Sequence, residues 1–195
     1  MGTRDVILDA AAGIMRERGL AATTTRQIAA AAGFSEATLY KHFGDKVELM
    51  VAVLQERSTG FAQLAEALEG RAGTGSLESG LAAVARAAIV FYSDNFPMLA
   101  SIFSDQAILA AHKDGLKQHG LGPHKVNEAV IGYLEAERAA GRLRADADLY
   151  AAAALLLGAC LQHAFLGHMG GWPDRRPDEA AAVAFARVIA ASIAA

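Results

Sequence analysis

The stretch TTRQIAAAAGFSEATLYKHFGDK, residues 24–46, decides the fold. Thr24 followed three residues later by Gln27 reads as a capping box opening a helix. That helix runs through Ala29 to Ala32 and stops at Gly33, whose missing Cβ gives a tight turn its backbone freedom. Ser35 caps a third, short helix from Glu36 to Phe43, and Gly44 ends it. Ala29 and Ala30 are small enough for the two helices to approach closely, and Phe34 and Leu39 are spaced to pack inward. Glu36, Ala37, Thr38, Tyr40, Lys41 and His42 remain around the exposed side. Such a dense polar and aromatic surface suits a probe of the DNA major groove, and the paired helices read as a helix-turn-helix.

Working outward, residues 4–18 place Ile7, Ala10, Ala11, Ile14 and Met15 on one helical face, with Gly19 as its cap. Asp45 and Glu48 form a second capping box that opens a fourth helix, expected to run to about Glu69 with Gly60 as its weak point. Residues 70–76 read as a linker. Further helices are expected over roughly 77–93 (ending at an Asp94-Asn95 turn), from Pro97 to Ala111, from Pro123 to Ala140, from Asp146 to His168, and from Asp178 to Ile193. Residues 112–122 read as a loop. The class is therefore all-α with about nine helices. Residues 1–45 form the helix-turn-helix domain, and residues 46–195 a helical remainder whose first segment, 46–69, connects the two.

Over half of the 195 residues are apolar, many of them alanine, the residue that loses least on entering a helix. Net charge is −3, and residues 1–60 hold seven cations against seven anions. Bulk charge therefore attracts no nucleic acid, and any DNA contact must rest on placed cations. Cys160, the only cysteine, reads as a buried apolar group. No signal peptide is read at the N-terminus. Leu149–Trp172 is uncharged and long enough to span a bilayer, but its Ala and Gly content favours a buried helix of a soluble, cytoplasmic protein over a membrane segment.

The region from Arg4 to Leu54 resembles the DNA-binding part of the TetR (tetracycline-repressor-type) family. The residues that carry the likeness are Ile7-Leu8-Asp9-Ala10-Ala11, Glu17-Arg18-Gly19, Thr23-Thr24-Thr25, Ile28-Ala29, Ala32-Gly33-Phe34-Ser35, Thr38-Leu39-Tyr40-Lys41-His42-Phe43, Lys46 and Glu48-Leu49. The resemblance implies a dimeric one-component regulator, in the usual case a repressor, that binds a palindromic double-stranded operator and is released by a small effector. It implies contacts to phosphate, and sometimes to bases, from Thr25 and Arg26, a phosphate contact from Lys46, backbone contacts from Thr38, Tyr40 and His42, and base-edge contacts from Ala37 and Lys41. Glu36 has two open readings: a carboxylate that suits the helix dipole, or an acceptor for cytosine N4.

The last two helices are expected to form the dimer interface through Leu149, Leu156, Leu157, Cys160, Leu161, Val183, Val188 and Ile189. A largely apolar ligand pocket is expected among Phe61, Leu64, Phe91, Tyr92, Phe96, Met98, Phe103 and Phe165, with Asp94, Asp105, Gln106 and His163 as polar anchors. His112, His119 and His124 match no zinc spacing and read as solvent-exposed. No metal, cofactor or enzymatic residue set is expected. The competing classes are a ligand-independent, chromosome-organising DNA binder of the same fold and a helical interaction protein that has lost DNA binding.

Overall fold

A computed structural model describes residues 2–19, 22–57, 64, 68, 72–103, 106–118, 122, 124–170 and 172–195. Among these it has nine helices: α1 (Thr3–Arg18), α2 (Thr25–Ala31), α3 (Glu36–Tyr40), α4 (Lys46–Glu56), α5 (Leu77–Ile102), α6 (Gln106–Gln118), α7 (His124–Ala139), α8 (Leu149–Met169) and α9 (Asp178–Ile193). The only extended pairing among the described residues is an isolated bridge between Leu143 and Ala194, so the all-α class holds. The chain forms two compact units. One comprises residues 1–58 and 94–122, the other residues 59–93 and 123–195.

In the first unit the local signals act as their chemistry dictates. Thr24 Oγ1 accepts from the Gln27 amide at 3.2 Å, while Gln27 Oε1 accepts from the Thr24 amide at 2.9 Å. Gly33, at φ +76°, follows α2. Its amide donates to the Ala30 carbonyl and that of Phe34 to Ala29, a Schellman motif that satisfies the last carbonyls of the helix. Ser35 Oγ accepts from the Thr38 amide at 3.2 Å and Asp45 Oδ1 from that of Glu48 at 2.8 Å. The Glu48 carboxylate reaches back to the Gly44 amide at 2.7 Å, one residue before the expected cap. These elements close on a core that includes Ile7, Leu8, Met15, Ile28, Leu39, Phe43, Leu49 and Met50, which Met98 and Ile102 join.

Gly19 ends α1 at φ +73°, ψ 171°, backbone open almost only to glycine. A Cβ there would stand 2.6 Å from Ser101 Oγ and 3.2 Å from the Pro97 carbonyl oxygen. Arg57 donates to Asp9 Oδ1 at 2.7 Å and Asp5 Oδ1 at 2.8 Å, and Arg4 pairs with Glu56 at 2.6 Å, so ion pairs tie α1 to the end of α4. Arg16 covers the Arg57 carbonyl.

The second unit is built on close helix approach through alanine. Ala82, Ala85, Ala88, Ala152, Ala153, Ala182 and Ala186 are buried beside Leu81, Ile89, Leu134, Leu156 and Cys160. Burial pushes the Cys160 thiol up to about 12, as expected of an inert apolar group. Asp148 caps α8 by accepting from the Ala151 amide at 2.9 Å. This helix is apolar and long enough to cross a membrane, yet Leu149, Ala152, Ala153, Leu156, Leu157, Cys160 and Ala164 lie in the interior of the unit.

Several expectations need correction. The third helix ends at Tyr40, with Lys41 as its cap, and not at Phe43. The Asp94-Asn95 turn does not form, because α5 continues through Pro97 to Ile102. Residues 112–118 are helical, since α6 runs to Gln118. The long apolar helix starts at Leu149, two residues beyond Ala147, with Asp148 rather than Asp146 as its cap. His112 is half-buried within α6, where burial lowers its pKa, and so is not solvent-exposed. His124 is exposed, whereas His119, Gly60 and the opening residue Pro123 lie outside the described residues. The fourth helix does not run unbroken to Glu69: it ends at Glu56, where Arg57 leaves helical geometry at φ −130°, and of the expected remainder Leu64 and Leu68 are described, both helical.

Candidate nucleic-acid interface

Two short helices held by the turn at Gly33 present the candidate surface. Arg26 in the first turn of α2 is exposed, as are Ala37, Tyr40, Lys41 and His42; Glu36, Thr38 and Lys46 are half-buried. Buried Leu39 and Phe43 anchor the underside of α3 and the residues after it, which turns the intervening side chains outward. Arg4 stacks over the Phe43 ring at 5.3 Å, a cation–π contact that bolsters this anchor.

Residues 1–60 are electrically neutral by composition, so the state of each cation matters. Arg4 and Arg57 are engaged by carboxylates, and Arg16 by a backbone carbonyl. Arg18 lies 3.6 Å from Glu17. Arg26 and Lys41 are in no ion pair among the described residues, which leaves their charge available to a polyanion. Lys46 stands at the first position of α4, where backbone N–H groups add a positive field. Burial lowers its pKa, and a phosphate nearby would favour the charged form.

Sequence reasoning did not find the hydrogen bonds that join Thr25, Glu36 and Tyr40. Thr25 Oγ1 lies 2.5 Å from Glu36 Oε1 and 3.2 Å from the Tyr40 hydroxyl. No local pattern signals them, because Thr25 and Glu36 are 11 residues apart and on different helices. Thr38 meets Ser35 Oγ at 2.9 Å.

Residues 7–53 match the family described as bacterial regulatory proteins, tetR family, and residues 115–195 match the C-terminal domain of AefR-like transcriptional repressors. The chain belongs to the TetR family. Among its relatives within that family and fold, YvkB of Bacillus subtilis, an uncharacterized HTH-type transcriptional regulator, is 40% identical over 68 residues, 35% of this chain and 36% of that protein. KstR2 of Rhodococcus jostii, an HTH-type transcriptional repressor, is 46% identical over 54 residues, 28% of this chain and 26% of that one. The chain thus matches about a third or less of the length of these relatives. The fold likeness covers the whole chain. A TetR-family regulator from Mesorhizobium loti superposes with a TM-score of 0.79 at 22% identity, covering 99% of this chain and 97% of the other. SmeT, the repressor of the Stenotrophomonas maltophilia multidrug efflux pump SmeDEF, gives 0.66 at 22%, covering 100% and 92%.

Beyond α2 and α3, this TetR-family chain distributes the remaining candidate residues unevenly. Leu149, Leu156, Leu157, Cys160 and Ile189 lie in the core of their own unit, and Val183 packs against it. Leu161 and Val188 face outward, 42% and 68% exposed, and Tyr150, Leu155 and Phe165 join them. Of the pocket candidates, Leu64 is buried in the second unit and Tyr92 packs against that core, where burial, then Cys160, raises its hydroxyl to about 12. Phe91 meets Tyr92 edge to face at 5.3 Å. Phe165 is partly exposed, while Met98 belongs to the core of the first unit and Phe103 is exposed there. Phe96 is half-buried, and Asp94 and Gln106 are exposed. His163 Nε2 lies 2.9 Å from Asp178 Oδ1, which Arg175 also reaches at 2.8 Å. Burial works to raise the Asp178 pKa, but these two partners outweigh it and lower it. Phe61 and Asp105 lie outside the described residues.

Proposed function

We propose that this protein is a dimeric, cytoplasmic one-component transcription repressor. Residues 1–45 read a palindromic operator and residues 46–195 hold the dimer contact and a site for a small, largely apolar effector. The observation that carries the reading is the pair Arg26 and Lys41: exposed, without ion-pair partners among the described residues, one in the first turn of α2 and the other capping the end of α3, in an N-terminal stretch of no net charge. Thr25, Thr38, Tyr40, His42 and Lys46 add backbone contacts, and Ala37 and Lys41 meet base edges. No reaction is assigned to the protein.

The dimer contact is the outward face of α8. Tyr150, Ala154, Leu155, Gly158, Leu161 and Phe165 are exposed and uncharged, with Val188 of α9 exposed as well. Soluble monomers seldom leave such a patch uncovered. Two copies would bring two readers to half-sites ~34–36 Å apart. An effector that prefers the spacing incompatible with those half-sites releases the operator; one that binds both states equally shifts nothing.

Selection of bound duplexes from a random pool tests this reading. A palindromic consensus is expected. Recovery of an asymmetric consensus, or of no consensus, overturns it.

A further inference from the structure

Thr25 and Tyr40 carry two of the hydroxyls that the DNA-binding reading assigns to the duplex backbone, and in the free protein neither directs its proton outward. A carboxylate only accepts, so the single proton of the Thr25 hydroxyl goes to Glu36 Oε1 at 2.5 Å. Thr25 Oγ1 then has no proton to give, and at 3.2 Å the Tyr40 hydroxyl must be the donor. The bonds have one direction, from Tyr40 to Thr25 to Glu36, and they stitch α3 to α2. Thr25 is buried, and this relay satisfies its polar group.

We propose that Glu36 is a positioning residue and not a reader of bases. It holds Thr25, orients Tyr40 through it, and locks the angle between the two helices. The proposal rests on the DNA-binding reading but adds a separate claim. A phosphate oxygen is a stronger acceptor than a neutral hydroxyl, so DNA redirects only the Tyr40 proton, leaves the shorter Thr25–Glu36 bond in place, and meets Thr25 through its main-chain N–H at the start of α2. The retained carboxylate repels phosphates whatever the sequence, and so lowers affinity for all duplexes alike.

Wild type and Glu36→Gln are each taken through selection from random duplex DNA. Glutamine keeps an acceptor for Thr25 and loses the charge. The expected result is an unchanged consensus with roughly fivefold tighter binding to random duplex, the size of one like-charge contact in water. A changed base at one position of each half-site, such as cytosine to adenine, would mark a base reader and overturn the proposal. Glu36→Ala, Thr25→Val and their combination are also unfolded by denaturant without DNA. A combined loss smaller than the sum of the single losses is expected, and additive losses overturn the relay. If wild type selects no sequence, the DNA-binding reading fails, and this cycle decides the relay by itself.

Discussion

The His168 ring donates from Nε2 to the Ser93 carbonyl at 2.8 Å, and that carbonyl is the one left without its helical partner by Pro97. A residue at position 97 with an N–H would bond back four residues, to Ser93; proline has none. The histidine supplies the missing donor from 75 residues away. His168→Ala should cost up to about 1 kcal/mol, since the site is exposed and water replaces part of the bond. In a Pro97→Ala background, where residue 97 regains its N–H, the same substitution should cost less. Equal costs in the two backgrounds, measured by denaturant unfolding, would sink this account.

Affinity for DNA should depend on Arg26 and Lys41 out of proportion to their number. Removing a single phosphate contact lowers the slope of log affinity against log salt by about one. Arg26→Ala should therefore weaken binding to all duplexes and flatten the slope. Lys41→Ala should also relax base preference where it meets a base edge. Titrations at several salt concentrations separate the two effects. Arg57→Ala, which removes a cation already engaged by Asp5 and Asp9, should leave the slope unchanged.

Leu155 and Leu161 stand 64% and 42% exposed on α8. Glutamate at either position should leave the subunit folded, because neither side chain belongs to the core, and should split a dimer by burying charge in an apolar contact. Sedimentation velocity would show a shift from dimer to monomer, with operator binding abolished in parallel. A dimer that survives both substitutions moves the contact elsewhere.

Acid should loosen the tie between α1 and α4. The hydrogen bond from Arg57, followed by one from the Gly2 amide, lowers the Asp5 pKa, and the bond from Arg4 lowers that of Glu56. Carboxyls whose folded pKa lies below the unfolded value, about 4, add stability that is present above that pH and disappears as pH falls through the folded value. Arg57→Met should therefore destabilise the protein at pH 7, and the gap to wild type should narrow towards pH 3. High salt should narrow it too, because both carboxylates are partly exposed to solvent. A gap that is constant with pH would show that Arg57 acts through packing alone.

The caps at Thr24, Ser35 and Asp45 and the turn at Gly33 were all legible in the sequence, and with them the helix-turn-helix and its family. Their hydrogen bonds join residues three to five positions apart, so residue type and spacing carry the whole signal. The Asp94-to-Pro97 segment misled because its local chemistry is that of a turn, and the group that lets the helix continue lies on α8. The outward face of α8 was equally hidden. A helix apolar on every side has no period to read, and only packing into the core that also holds Ala85, Leu134 and Ala182 decides that Leu156 turns in and Leu155 turns out.

By itself, then, the sequence determined where helices begin near the N-terminus, which side chains surround α3, and the neutral charge of residues 1–60 that makes placed cations decisive. Tertiary structure alone decided which of those cations are engaged, which acceptor takes the Thr25 proton, and which apolar face is left over. Each of those outcomes is a contact between residues distant along the chain, and its formation depends on the whole packing around it and not on any local pattern.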